Sequence, residues 1–291
     1  MLQETTIPQP RCSSSEVGGA EPDFSVAENL CRVASNEWVN DEYKHLVLDA
    51  PDVALRALPG QFFHLACPPD VDGAALLRRP MSLYKVAPTH RQIEFLYKVH
   101  GVGTRGLARL EVGNQLDALG PVGRGFALPA NAKHILLLAR GVGLATLTPL
   151  ADLARTLKVS VTAVLSARTP DLIMSADYLR EAGAQVVIVT DDDKTSDVEH
   201  VETLVREIHA TRPLDYVATC GSNRLLILLQ RLAMQLDIPG QIALEQHMGC
   251  ALGACYACVR PFKKQACADQ LTYRRVCWEG PVFDLQETVS W

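Results

Sequence analysis

A small β-barrel, then an α/β domain with a mostly parallel sheet, then a short cysteine-rich module is the fold class that the sequence predicts. Three observations predict it. Residues 26–128 carry short alternating runs cut by Gly and Pro, without strand–helix alternation. Residues 129–238 alternate apolar runs with helical patterns. Residues 239–291 hold five of the chain's nine cysteines.

A chain of 291 residues is long enough for two domains and a small module. Its composition, 48% hydrophobic and 21% charged, is that of a globular protein. A net charge of −5 and a pI near 5.9 leave no basic face for nucleic acid, so none is expected as a partner. No apolar run reaches the length of a membrane span, and no basic segment followed by an apolar core opens the sequence, so neither membrane nor signal peptide is expected. Nine cysteines without a secretory signal point to a reducing compartment, the cytoplasm, where thiols serve as metal ligands.

Residues 1–25 are rich in Ser, Pro, Gly and Glu and poor in large apolar side chains, so a flexible extension is expected, with Cys12 incidental to it. Strands are expected at Tyr43 to Leu48, at Gln61 to Ala66 after the turn Pro59-Gly60, and at Gln92 to Val99. A short helix is expected from Thr104 to Leu110. The pattern changes after Pro129. A continuous apolar strand, His134 to Ala139, runs into Gly141-Val142-Gly143 and a helix over Leu147 to Leu157. Further strands at Val159 to Leu165, Gln185 to Thr190 and Tyr216 to Thr219 alternate with helices at Ala176 to Glu181, Val198 to His209 and Asn223 to Leu236. Ligands of such sheets bind at the carboxyl ends of the strands, which puts the glycines after the first strand and Cys220-Gly221-Ser222 after the last on one edge.

In the final module Cys250, Cys255 and Cys258 are separated by four and two residues, with glycines and alanines between them. This is the plant-type spacing for a [2Fe–2S] cluster. Small residues let backbone N–H groups approach the bridging sulfides. A structural zinc, which usually takes two CxxC pairs, and unliganded core cysteines are the alternatives. Cys277 and Cys267 are both placed to supply a fourth thiolate.

Two further stretches invite a ligand. Arg78-Arg79-Pro80-Met81-Ser82 offers guanidinium forks for a phosphate and a hydroxyl for a ring nitrogen, though an Arg-Pro pair is as readily a plain strand edge. Gly101-Val102-Gly103-Thr104 ends a strand and opens a helix whose free N–H groups suit an anion; a glycine turn capped by Thr104 reads equally well.

Taken in order, Arg-Pro-x-Ser, Tyr97-Lys98-Val99 with Gly-x-Gly-Thr, Leu119-Gly120-Pro121-Val122-Gly123, Gly-Val-Gly, Cys-Gly and the cysteine loop resemble the ferredoxin–NADP reductase superfamily. Within it, Glu245 to Cys258 and Arg275 to Phe283 are similar to the electron-transfer subunits of two-subunit, NAD-dependent dihydroorotate dehydrogenases. The resemblance spans residues 28 to 287; its cysteine module alone is specific to this branch. It implies a flavin domain at 26–128 with FAD held by Arg79, Pro80, Met81 and Ser82 at ring and phosphate. Leu96, Tyr97 and Lys98 would meet ring and ribose, and Gly103 and Thr104 the pyrophosphate. It implies NAD(H) at Gly141, Gly143, Cys220 and Gly221, and a [2Fe–2S] cluster on Cys250, Cys255, Cys258 and Cys277, preferred over Cys267. The implied role is an oxidoreductase subunit of pyrimidine biosynthesis, passing electrons between a nicotinamide and a partner flavoprotein dehydrogenase that holds the substrate site.

Three positions depart from the superfamily pattern. Arg140 stands where a glycine is usual, Ser222 replaces a proline, and Asp193 replaces a glycine. They support an alternative, a docking subunit of another oxidoreductase complex whose nicotinamide half-site has decayed. Ser166 and Arg168 follow the second strand of the sheet, where a 2′-phosphate is held in some members, so NAD and NADP are not distinguished. Tyr256, Phe262 and Trp278 are candidates for contact with the partner or for shielding the cluster.

Overall fold

The computed structural model describes residues 25–264 and 267–291, with backbone alone for 267–269. The expected extension, apart from Ser25, and the Cys267 side chain lie outside the described residues.

Among the described residues seven antiparallel strands build the first sheet: β1 (Ala27–Trp38), β2 (Tyr43–Asp49), β3 (Phe62–Leu65), β4 (Arg79–Ser82), β5 (Lys85–Ala87), β6 (Gln92–Lys98) and β7 (Gln115–Val122). Their order is β4-β3-β7-β1-β2-β6-β5. The ends of this ladder meet where the chain leaves β4. The Leu83 N–H donates to the Gln61 carbonyl at 3.1 Å on one side, and the Tyr84 N–H to the Glu94 carbonyl at 2.9 Å on the other. Alternation sends Leu46, Leu48, Phe63, Leu65, Ile93, Phe95 and Tyr97 inward, and Phe63 meets Phe95 edge-to-face at 5.6 Å. Helix α1 (Gly101–Ala108) adds Leu107 to this core. The buried Asn36 side chain donates to the Leu107 and Leu110 carbonyls near the helix end, and accepts from the Tyr97 hydroxyl.

The second sheet begins at β8 (His134–Arg140) and continues through α2 (Gly143–Thr156), β9 (Ser160–Ala167), α3 (Ala176–Glu181), β10 (Gln185–Thr190), α4 (Val198–Thr211), β11 (Tyr216–Cys220), α5 (Asn223–Gln235) and β12 (Gly240–Ala243). Then come the hairpin β13 (Val259–Lys264) and β14 (Cys267–Arg275), the short helix α6 (Val276–Glu279) and β15 (Val282–Asp284). The strand order β10-β9-β8-β11-β12-β15 is parallel except for β15. Both faces of β8 are covered, which is why its sequence is continuously apolar. Leu136 and Leu138 share a core with residues of α4 and α5, whereas Ile135, Leu137 and Ala139 share one with α2 and α3.

Two expectations need correction. Helix α2 starts at Gly143, not Leu147, because the Gly141 turn at φ 58° feeds straight into it. Pro149 lies inside this helix and leaves the Ala145 carbonyl without its usual N–H; the Thr148 hydroxyl sits 2.9 Å from that oxygen. Residues 239–291 carry the expected C-terminal module and also complete the second sheet. They contribute β12 and β15 to the six-stranded sheet, and only the cysteine loop and the β13–β14 hairpin stand outside it. Phe262, on β13, is fully buried against Phe283 of β15, ring centres 4.2 Å apart, and is thus a core residue and no surface contact.

Phe262→Ala is expected to lower the free energy of unfolding by about 3–5 kcal/mol in a urea titration. Tyr256→Ala, at a side chain 63% exposed, should change it by no more than about 0.5 kcal/mol.

Candidate functional site

Between the barrel and the second sheet lies a cavity. β4 and β6 line one wall with Pro80, Met81, Ser82, Leu96, Tyr97 and Lys98. The start of α2 supplies Val142, Ala145 and Thr146 opposite, and the strip after β12 supplies Leu244, Glu245, Gln246 and Met248. Six residues expected to meet a flavin are therefore on one surface. The Ser82 hydroxyl has no partner among the described residues. The Tyr97 hydroxyl is turned to Asn36, so only its ring faces the cavity. Lys98 is tied to Glu42 at 2.6 Å.

Arg79 lies against the start of α1. A Cβ on Gly103 would come within 2.9 Å of its Nε, so a side chain there would push the arginine aside; its Nη1 donates to the Leu77 carbonyl at 2.6 Å. This arrangement fits a phosphate. Thr104 is occupied otherwise: its hydroxyl accepts from the His100 N–H and donates to the His100 carbonyl, both at 2.6 Å, closing the turn. Arg78 is not a phosphate ligand either, because it pairs with Asp117 at 2.5 Å and donates to the His64 carbonyl, joining β7 to β3.

Nothing in its spacing singles out Glu245 from the run in which it stands. It is exposed where it opens onto the cavity, although protein crowds it from behind, and no cation pairs with it among the described residues. Burial pushes its carboxyl above the ordinary 4.5. Cys220, fully buried nearby, has its thiol pushed far up by burial and by the Glu245 charge, with Thr146 opposing.

At the carboxyl edge of the second sheet the loops after β8 and β11 touch. A Cβ on Gly143 would meet the Cys220 carbonyl at 2.7 Å, and one on Gly221, φ 86°, the Arg140 carbonyl at 3.0 Å. Gly141, Gly143, Cys220 and Gly221 are thus brought together at the point where strand order reverses. Arg140 spans the same edge. It donates to Ser166 at 2.9 Å and to both Asp191 carboxylate oxygens at 3.1 and 2.6 Å. These bonds hold the Asp191 carboxyl below its usual range, with Ser196 adding to them. Ser166 is therefore engaged, whereas Arg168 is exposed with no ion pair among the described residues. Asp193 accepts from the Thr190 hydroxyl and closes its own turn. Ser222 caps α5, its hydroxyl accepting from the Leu225 N–H.

The cysteine loop follows two residues after Met248. Ala251, Gly253 and Tyr256 all have positive φ, between 58° and 72°, which turns the backbone inward. The Leu252 and Cys255 N–H groups donate to Cys250 Sγ, and the Cys277 N–H to Cys258 Sγ, each at 3.4 Å. Burial opposes it, but these N–H groups hold the Cys250 thiol below its ordinary value. The Cys277 side chain pulls Cys258 down to about 6 and is itself driven up. Among the described residues no three His, Cys, Asp or Glu side chains gather around one ion. The four thiols instead form two pairs, Cys250 with Cys255 and Cys258 with Cys277. Four thiols met by inward-turned N–H groups fit a cysteine-held [2Fe–2S] cluster. Arg275 braces the loop, donating to the Gly253 carbonyl at 3.2 Å and lying over the exposed Tyr256 ring. Trp278 is half-buried, and a Cβ on Gly253 would touch it.

A family model described as the iron–sulfur cluster binding domain of dihydroorotate dehydrogenase B matches residues 245–289. The dihydroorotate dehydrogenase B (NAD+) electron transfer subunit of Desulforamulus reducens is 33% identical over 245 residues, covering 84% of this chain and 92% of that one. That of Streptococcus pneumoniae is 32% identical over 256 residues, covering 87% and 94%. The chain belongs to this family of electron transfer subunits. A solved NADH-dependent reduced ferredoxin–NADP oxidoreductase shares the fold, with a TM-score of 0.73 at 23% identity and 89% of each chain covered. In this family member, Glu245 opens the segment that the cluster-domain model matches, and the four paired cysteines lie within it.

A carboxyl held above 4.5 binds its proton more tightly in the folded chain, so its contribution to stability is lost as the pH rises from that value. Without cofactors, Glu245→Gln should melt with the parent near about pH 4 and above it near about pH 8. Calorimetry at the two values checks this, and an equal offset at both would contradict the assignment.

Proposed function

We propose that this chain relays electrons between NAD(H) and a partner dehydrogenase, with dihydroorotate oxidation as the leading case. FAD would be held at Arg79, Pro80, Met81, Ser82, Leu96, Tyr97, Lys98 and Gly103, with Thr104 closing the turn that presents the start of α1. A [2Fe–2S] cluster would be held by Cys250, Cys255, Cys258 and Cys277. One observation carries the reading: a single strip of backbone lines the cavity with Leu244 to Met248 and then turns into the paired thiols. FAD, when bound, takes electrons from a nicotinamide as a pair and releases them singly, the form in which a cluster carries them.

The chain's own residues set the positions. Arg79 and the start of α1 meet phosphate, the Ser82 hydroxyl meets the ring, and the glycines at the edge of the second sheet admit the nicotinamide half. No side chain is assigned to substrate chemistry, which belongs to the partner chain of a hetero-oligomer. Leu252, Cys255 and Tyr256 are exposed beside the cluster site and form the face on which that partner would dock. Thiolate ligands suit a reducing compartment, and the cytoplasm is our placement. No helix among the described residues is long and apolar enough to cross a membrane.

The tether of Arg140 to Asp191 and Ser166 favours one second reading: a half-site closed to dinucleotides, with electrons entering from another protein.

The purified chain should show flavin and [2Fe–2S] absorption and about two irons per chain. Cys250→Ser and Cys277→Ser should each remove the iron and leave the flavin; zinc in place of iron would sink the proposal. NADH should bleach the parent's bands. Bleaching in Arg140→Gly alone would favour the second reading.

A further inference from the structure

His64 has no part in the site as described so far. It stands on β3 with Phe63 and Leu65 pointing into the barrel core on either side of it, so its own side chain faces outward. Yet it is only 1% exposed, and neither ring nitrogen has a hydrogen-bond partner. Buried polar atoms are nearly always paired. A neutral imidazole keeps one N–H and one acceptor nitrogen, and a leucine would fill the same space without leaving either unpaired.

Its surroundings show what the nitrogens are for. Across the ladder His64 is opposite Pro80, and on its own strand it shares a face with Phe62; both of those residues line the cavity. Two backbone carbonyls, of Met248 and of Arg78 just before β4, stand near enough to favour the ring's proton, but neither meets hydrogen-bond geometry with it. Met248 lines the cavity and precedes the first cysteine of the cluster loop by two residues. Its carbonyl accepts no hydrogen bond among the described residues. The charged neighbours are Arg78, whose guanidinium donates to the His64 carbonyl at 3.3 Å while paired with Asp117, and Arg79. Burial, then Arg78, push the imidazole down to about 4, so the ring is neutral near neutral pH.

Resting on the function proposed above, we infer that His64 is a positioning residue for electron passage between flavin and cluster. Its ring N–H closes on the Met248 carbonyl when both groups are bound, fixing the strip that carries Cys250 against the barrel wall.

The test uses the full chain carrying both cofactors. His64→Leu keeps bulk and burial but removes the donor. His64→Asn and His64→Gln each return an N–H, at the reach of Nδ1 and of Nε2 respectively. Light-driven reduction of the bound flavin, with EDTA as electron donor, followed by the bleaching of the cluster's visible bands, reads the passage without NADH. His64→Leu is expected to slow it about tenfold and to alter the EPR line shape of the reduced cluster, with flavin and iron contents unchanged. At least one amide variant should recover most of the rate. An unchanged rate and line shape in His64→Leu, with only thermal stability altered, would overturn the inference, as would a slowing that neither amide relieves. A parent chain without cluster bands would overturn the proposed function first, and is seen before any variant is made.

Discussion

One length of backbone must satisfy two surfaces at once. From Leu244 to Met248 it closes the cavity over the barrel wall, and from Cys250 to Cys258 it curls so that N–H groups point at sulfur. Neither half is free to shift alone. Its start is pinned by β12, which pairs with β11 and β15, and by the Leu244 N–H, which donates to the Pro281 carbonyl at 2.9 Å. Its end is pinned by β13, whose Phe262 is locked into the core against β15. The antiparallel strand that follows the cysteines therefore returns to the sheet that precedes them. The loop is clamped at both ends to the same rigid body, and its distance from the cavity is set by the sheet.

The same economy appears at the point where strand order reverses. Gly143 and Gly221 are required there by the contact between the two loops alone, since a side chain on either would strike backbone. Their presence is consistent with a dinucleotide but does not depend on one. Arg140 adds information the glycines lack. A guanidinium with three donors satisfied by Ser166 and Asp191 is held across the edge, at 23% side-chain exposure, and any anion arriving there competes with a carboxylate already in place.

Much of this was readable in the sequence, for identifiable reasons. Strand β2 shows through because one face is more deeply buried than the other, and β3, β6 and β8 because both faces are covered. The cysteines show through because ligand spacing is dictated by the cluster rather than by the fold. The start of α2 was hidden by glycines that look like a loop and behave as a first turn. β12 and β15, with four and three residues, are too short to give a period, and their pairing joins segments on either side of the cysteines. Phe262 was misjudged for the same reason: an aromatic beside metal ligands reads as surface or core until its partner strand is known. Glu245 and His64 were invisible as functional residues because a lone ionisable side chain has no pattern; only the tertiary structure marks them, Glu245 by its place on the cavity wall without a cation and His64 by burial without a partner.

The two hollows differ in which polar groups are left without partners. A second hollow lies at the opposite, amino-terminal edge of the sheet, lined by His134, Thr162, Glu207 and Arg212. Its histidine is already satisfied on both nitrogens, by the Arg212 carbonyl at 3.2 Å and the Thr162 hydroxyl at 2.9 Å. That histidine is therefore not free to take a ligand, and the hollow lies at the far edge of the sheet from the loops after β8 and β11. The cavity that does carry unpaired polar groups, Ser82 and Glu245, is bordered by the barrel, α2 and the strip. The strip that borders this cavity leads to the four thiols, and there Cys255 and Tyr256 are exposed, so the two ends of one backbone segment face the cavity and the protein surface.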